Sequence, residues 1–343
     1  MIKDTLPQLD VVSRIAALTP AKRRGGVEVV GPWGSGKALV AVQTAQALGA
    51  SLLYITHGRI DAESAFEDLC SFTDPEQCTL LPAWEVLPTD AMKPADDVVA
   101  ERMNALERIG LARERGGPVF ASLSVRALLQ RVLDRKELLR DTLTLRAGEE
   151  YDLEDIVARL VKLGYERELM VEQRGQLSVR GGIFDVFPIS SELPYRIEFF
   201  GDEIESIRRF EPETQRSVDT RAEIQILPRS EKRLLEAQGH DPRALSSIID
   251  YFPENTIFAV DEPLAIMEEA ERLEAQFAST SFMMTWDEAT SHARGLFHLS
   301  LAQIAHDPRE GALRMTAPML SMSSWRDRQD GFWDQLTEWD QAG

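Results

Sequence analysis

Cysteine is nearly missing from this chain. Cys70 and Cys78 are the only two among 343 residues, too few to staple a small secreted fold. The opening residues, MIKDTLPQLD, lack the basic-then-apolar pattern of an export signal, so a reducing cytoplasm is the expected setting. Long hydrophobic runs are also absent: polar residues break every apolar stretch well before the roughly 20 residues a bilayer span needs, and no membrane partner is expected. Basic charge is in deficit, with 38 Lys and Arg against 57 Asp and Glu and a net charge of −19. Such a surface repels phosphate backbones, so non-specific DNA binding by this chain is not expected. What is present is an ordinary globular balance, 43% hydrophobic and 28% charged, which excludes a disordered or collagenous chain. At roughly 150 residues per domain, the length provides for two or three domains.

The first third alternates short apolar runs with helical periods. VEVVG (27–31), SLLYIT (51–56), CTLLP (78–82) and PVFASL (118–123) read as buried strands, with helices predicted at 37–48, 61–72 and 95–115. Strands separated by helices imply right-handed crossovers and a largely parallel sheet. The style changes near residue 141. After TLTLRAG and an amphipathic helix over 152–165, RELMVEQRG, QLSVRGG, IFDVFP, YRIEFFG and DEIESIRRF follow as alternating strands with turn residues between them. From AEIQILP (222–228) helical character returns, and TIFAV (256–260) is a further buried strand followed by a helix. The simplest topology is a β-rich insert on a discontinuous α/β domain.

The sharpest local motif is Gly31-Pro-Trp-Gly34-Ser35-Gly36-Lys37-Ala38, between a strand and a helix. A phosphate loop uses glycines to aim N–H groups at phosphates, a Lys to reach the terminal phosphates, and a Ser or Thr to hold Mg²⁺. Ala38 stands in that last place and has no oxygen to offer. TIFAVDEP ends in Asp261 and Glu262, where an ATPase keeps its metal-orienting carboxylate, but Pro263 interrupts the continuation. Two readings stand: a decayed loop kept as a fold element, or a nucleotide site built from Gly31, Gly34, Ser35, Gly36, Lys37, Asp261 and Glu262. No catalytic residue, metal or cofactor is expected, with ATP binding left open. His57, His240, His292, His298 and His306 are read as lacking i, i+4 carboxylate partners, and neither cysteine sits in a CxxC. Trp325, Trp333 and Trp339 fit a helix packing an apolar face, or a partner groove, and stay unassigned.

Within the β-rich module, strand alternation places Arg196, Glu198 and Phe200 on one face and Ile197 and Phe199 on the other. Arg and Phe on a solvent face make interface hot spots. A cross-strand ion pair beside a half-buried Phe explains the same pattern, and periodicity alone leaves the two even.

The run Arg174-Gly-x-x-Ser-Val-Arg180-Gly-Gly-x-x-Asp185-Val-Phe-Pro, followed by Arg196-Ile-Glu-Phe-Phe200-Gly-Asp202-Glu203-Ile-Glu205, resembles the small β-rich domain shared by the excision-repair protein UvrB and the bacterial transcription-repair coupling factors. Leu81-Pro-Ala-Trp84-Glu85-Val-Leu87-Pro88, with Pro94, Arg102 and Leu106, resembles the coupling factors, and the Tyr-rich hairpin and intact phosphate loop of UvrB are missing. The resemblance runs from about residue 5 into the last helix. It implies an α/β fold in which a discontinuous RecA-like, P-loop-type parallel-sheet domain (1–140 and 228–330) carries an inserted small β-rich α+β domain (141–227), with 331–343 starting a linker or next domain. It further implies a UvrB-like adaptor that binds UvrA through Arg180, Arg196 and Phe200, recruiting nucleotide excision repair to stalled RNA polymerase. The family's full-length members are ATP-dependent DNA translocases whose polymerase and double-stranded DNA contacts lie in domains outside this chain, so no enzymatic activity is expected here. The rival reading is an ATP-binding, helicase-type repair subunit using Lys37, Asp261 and Glu262.

Overall fold

The computed structural model describes residues 7–23, 25–85, 95–229, 245–277, 280, 282–305 and 311–319. Helices α1 (Asp10–Ala16) and α2 (Pro20–Arg23) precede β1 (Val27–Val30), α3 (Ser35–Leu48), β2 (Ser51–Thr56), α4 (Arg59–Phe72), β3 (Cys78–Leu81), α5 (Asp96–Arg115) and β4 (Phe120–Ser124). These strands do not close a sheet by themselves. After a long excursion the chain adds β15 (Thr256–Asp261), α9 (Pro263–Phe277), α10 (Trp286–His292), β16 (Phe297–Ala302) and β17 (Leu313–Thr316). The resulting seven-stranded sheet runs β17-β1-β16-β15-β2-β4-β3, and every pairing is parallel.

Burial explains the parallel arrangement. β2 and β4 are buried at every position, as strands covered on both faces must be. Leu53 and Ile55 of β2 join one hydrophobic cluster while Leu52 and Tyr54 join another, so the two faces of one strand feed two cores. The Leu81-Pro-Ala-Trp84-Glu85 stretch turns away from β3 on a polar scaffold. The fully buried Arg102 donates to the Pro82 carbonyl at 2.7 Å and lies 5.2 Å over the Trp84 ring. The Gln130 amide accepts from Trp84 N–H at 2.7 Å and donates to its carbonyl at 2.9 Å. Pro88 and Pro94 of that motif lie outside the described residues, as do His240, His306, Trp325, Trp333 and Trp339.

Between β4 and β15 the chain forms α6 (Val125–Leu129), β5 (Val132–Leu133), α7 (Arg135–Asp141), β6 (Leu143–Arg146), α8 (Leu153–Lys162), β7 (Glu166–Arg167), β8 (Gln176–Arg180), β9 (Ile183–Val186), β10 (Tyr195–Phe200), β11 (Glu203–Phe210), β12 (Ser217–Arg221), β13 (Glu223–Ile226) and β14 (Leu245–Ser246). A second sheet runs β12-β11-β10-β9-β8-β7. β6 pairs antiparallel with β13, and β5 with β14. The apolar face of the second sheet, including Phe184, Ile197 and Ile207, joins the same cluster as Leu53 and Met103, so this sheet shares a core with one side of the parallel one. No described helix is long and apolar enough to cross a membrane.

Two local expectations are corrected. RELMVEQRG is not a strand beyond Arg167, and the short β7 pairs parallel with β8. The Gln176 side chain accepts from the N–H groups of Glu172 and Gln173 at 2.9 and 2.8 Å, giving the backbone a local partner in place of a ladder. β12 was not expected, because its residues are almost all exposed and carry no apolar alternation. Cross-strand pairing of Arg209 Nε with Asp219 Oδ1 at 2.8 Å holds it instead.

Glu107 of α5 sits in the cleft between the two sheets, with Phe66 and Cys78 on one wall and Arg174 and Ser190 on the other. Burial lifts its carboxyl from an ordinary 4.5 to about 7, against the opposing pull of a Ser190 hydrogen bond and of Arg108 and Arg115. The folded protein therefore keeps this proton over a window in which the unfolded chain has released it, and stability falls as pH rises from about 4.5 to 7. Glu107→Gln should unfold in urea with no change at the low end of that window and be more stable by about 2–3 kcal/mol at alkaline pH.

Candidate functional site

The phosphate-loop residues come together, and their polar groups find partners inside the protein. Gly31 (φ 106°) and Gly34 (φ 50°) bend the chain between β1 and α3 in conformations that favour glycine. The loop closes on itself, with Gly36 N–H donating to the Trp33 carbonyl at 2.9 Å and Lys37 N–H to the Gly34 carbonyl at 3.1 Å. Burial pushes the Asp68 carboxyl of α4 above its ordinary range, with Ser35 of the loop pulling it back down. The strand that ends the described chain packs over the loop: Met319 N–H donates to the Gly31 carbonyl at 3.3 Å, and a Cβ on Gly36 would overlap the Met319 thioether. Ala38 is buried in the core.

Lys37 Nζ lies 2.7 Å from both Asp261 Oδ1 and Glu262 Oε1, at the carboxyl end of β15. Asp261 Oδ2 accepts from the Tyr54 hydroxyl at 2.9 Å. Glu262 adopts φ 54°, unusual for a side chain of its size, and its Oε1 also accepts from Gln303 N–H at 2.9 Å. Burial raises the Asp261 carboxyl above its ordinary range, although Lys37 and Tyr54 pull it down. Burial works against the Lys37 charge, yet attraction to Asp261 and Glu262 outweighs it and lifts the ammonium above its ordinary value. This cluster engages the Lys37 charge within the protein, one ammonium against two carboxylates.

The second sheet turns a polar face outward. Ser178, Asp185, Arg196 and Arg208 stand opposite one another across β8, β9, β10 and β11. Asp185 is 1% exposed and holds two guanidinium groups. Arg196 grips it bidentately, Nε to Oδ1 and Nη2 to Oδ2, both at 2.8 Å, and Arg180 Nη2 reaches Oδ2 at 2.9 Å. Arg196 also donates to Gln215 Oε1 at 2.8 Å and stacks 4.5 Å over the Phe210 ring. Its side chain is 16% exposed and that of Arg180 51%, so Arg180 has the freer donors. Glu198 pairs with Arg208 and accepts from Ser206, the cross-strand ion pair anticipated as the plain explanation. The Phe beside it is not half-buried. Phe200 is 81% exposed at the end of β10, where Gly201 (φ 63°) begins the hairpin turn to β11. It lies four residues, roughly 13 Å, along the strand from Arg196.

Residues 143–231 match the family model described as the UvrB interaction domain. The chain carries a UvrB interaction domain. Arg180, Arg196 and Phe200 all lie within its span, and the phosphate loop and its acidic partners lie outside it. Similarity extends well beyond the domain. The chain is 35% identical over 227 residues to the transcription-repair-coupling factor of Myxococcus xanthus, covering 64% of this chain and 18% of that protein. The Bacillus subtilis (strain 168) factor is 26% identical over 298 residues, 71% of this chain and 25% of the relative. The Staphylococcus aureus (strain bovine RF122 / ET3-1) factor is 31% identical over 284 residues, 68% and 24%. These support the reading of the chain as the UvrB-like N-terminal module of that family. The chain spans about a quarter or less of the length of these relatives.

Sequence reasoning missed three features, two of them in the UvrB interaction domain. Asp185 is the anchor of both arginines, a role signalled only by a lone carboxylate between Phe184 and Val186 in an alternating strand. Leu169 and Met170, read as strand, are exposed, Leu169 at 92%, beside the polar face through the Ser178 hydroxyl bond to the Leu169 carbonyl. His57 does have an i+4 carboxylate, with Nδ1 3.8 Å from Asp61 Oδ2. Among the described residues no three His, Cys, Asp or Glu side chains gather to hold a metal. Lys37→Ala should cost about 2–3 kcal/mol in urea unfolding by leaving a largely buried carboxylate unpaired, and Asp261→Asn in the same chain should recover part of it. A lysine kept only to meet nucleotide would give no such loss.

Proposed function

We propose that this chain is a non-catalytic, UvrB-like adaptor that binds UvrA through the polar face and hairpin tip of its UvrB interaction domain. In a longer protein carrying a DNA translocase motor, it would recruit nucleotide excision repair to stalled RNA polymerase. The observation that carries this reading is the pairing of an 81%-exposed Phe200 with a half-exposed Arg180 fixed on a buried carboxylate. A large apolar anchor in water has no folding rationale at a hairpin tip. A pre-oriented guanidinium binds partner carboxylates without first losing its own freedom. Residues 141–227 form the docking domain on this reading, and 1–140 with 228–330 form its carrier. The phosphate loop serves the carrier as a structural joint, because nucleotide would have to break the Lys37, Ser35 and Met319 contacts to enter. The ATP-driven alternative has no comparable support.

Calorimetric titration with UvrA tests the proposal. Phe200→Ala and Arg180→Ala should each weaken binding by about 30-fold or more, near 2 kcal/mol, with unfolding midpoints unchanged. Arg196→Ala should weaken binding and also destabilise the fold by about 3 kcal/mol, since it strips Asp185 of its bidentate partner. Unchanged affinity in a Phe200→Ala, Arg180→Ala double variant would overturn the assignment.

A further inference from the structure

Between β7 and β8 the chain makes a loop, residues 168–175, that folds back over the outward polar face of the second sheet. Val171 sets its position. It is fully buried in a small cluster with Phe187 and Phe210, separate from the two large cores. Phe187 follows Asp185 by two residues and Phe210 follows Arg208 by two, so alternation puts both rings on the face that carries Asp185 and Arg208. The stack of Arg196 over the Phe210 ring joins this cluster to the charged row. Hydrogen bonds tie down the rest of the loop. The Ser178 hydroxyl donates to the Leu169 carbonyl at 2.9 Å, the Gln176 side chain accepts from Glu172 and Gln173 N–H, and Arg174 Nε donates to the Ser191 carbonyl at 3.0 Å.

On this fixed loop Leu169 is 92% exposed and Met170 42%, immediately before the buried Val171. Two large apolar side chains left in water contribute nothing to the fold, and a loop already tied in place loses little freedom when a partner covers it. Their position continues the contact surface. Ser178 stands level with Asp185 and Arg196 across the ladder, Arg180 lies two residues further along β8, and Phe200 lies four further along β10. Leu169 is therefore at one end of the charged patch and Phe200 at the other. From Ser178 to Phe200 the offset is four residues along and two strands across, roughly 16 Å, which fits inside one interface of ordinary size. The occupant is the partner of the face that the loop continues. A second copy of this chain would instead bring its own net charge of −19 against this one.

We propose that residues 168–173 are a second arm of the UvrA contact, with Leu169 and Met170 as an apolar anchor set across Arg180 and Arg196 from Phe200. This rests on the reading of that face as the UvrA-binding surface. Calorimetric titration of the full chain with UvrA tests it. Leu169→Ser, Met170→Ser should weaken binding by about 10-fold with the unfolding midpoint unchanged, and the loss should multiply with that of Phe200→Ala, because the two anchors are too far apart to couple. Val161→Ser, 45% exposed on α8, whose buried residues join the core behind the sheet, should bind as the unaltered chain does. Unchanged affinity in Leu169→Ser, Met170→Ser beside a weakened Phe200→Ala would overturn the second arm and leave UvrA binding by the face standing. Unchanged affinity in both would overturn both. An equal loss in Val161→Ser would also overturn the arm, by showing that position on the polar face is irrelevant.

Discussion

Two parts of the chain separated by more than a hundred residues have to complete one parallel sheet, and most other features follow from that constraint. β15 lies between β2 and β16, so β1 to β4 cannot bury their faces until the later strands arrive. The excursion must leave and return at neighbouring points. β6 and β13 meet that need with an antiparallel ladder from Leu143–Ile226 to Arg146–Glu223, which holds the entry and exit of the β-rich segment side by side. The shared hydrophobic cluster then fixes the second sheet against one side of the first.

Carboxylates hold cations in both parts, to opposite ends. At the end of β15, Asp261 and Glu262 enclose Lys37, whose side chain is only 12% exposed, and the charges are spent on joining residues 224 positions apart. In the UvrB interaction domain, Asp185 is itself buried and holds its arginines from beneath, so Arg180 keeps half of its side-chain surface in water. The chemistry is the same and the depth differs. A cation deeper than its carboxylates is enclosed by them, and a cation above its carboxylate stays open to solvent.

Legibility followed burial. β2 occupies the predicted 51–56, because six consecutive buried positions leave an unbroken apolar run. The long helix at 96–115 was equally plain from its period. Among the strands that escaped notice, β12 is exposed and held by cross-strand ion pairs that leave no apolar pattern, while β16 and β17 are short, partly buried runs whose place is set by pairing with β1 and β15. At the site, the alternation of Arg196, Ile197 and Glu198 was readable. The β-bulge between Glu198 and Phe199, which shifts the register at the hairpin end, was not, because it comes from an extra residue on the partner strand.

The sequence by itself determined the split α/β organisation, a phosphate-loop-like motif with Ala38 where a Ser or Thr would hold Mg²⁺, and the stretch matching a UvrB interaction domain. These are properties of residue order, carried by periodicity and spacing. Only the tertiary structure decided that Lys37 is paired with Asp261 and Glu262, that Asp185 sets the arginines and that Phe200 stands in water. Each depends on which residues meet across strands far apart in the chain and on how deep each side chain lies, and a linear pattern contains neither.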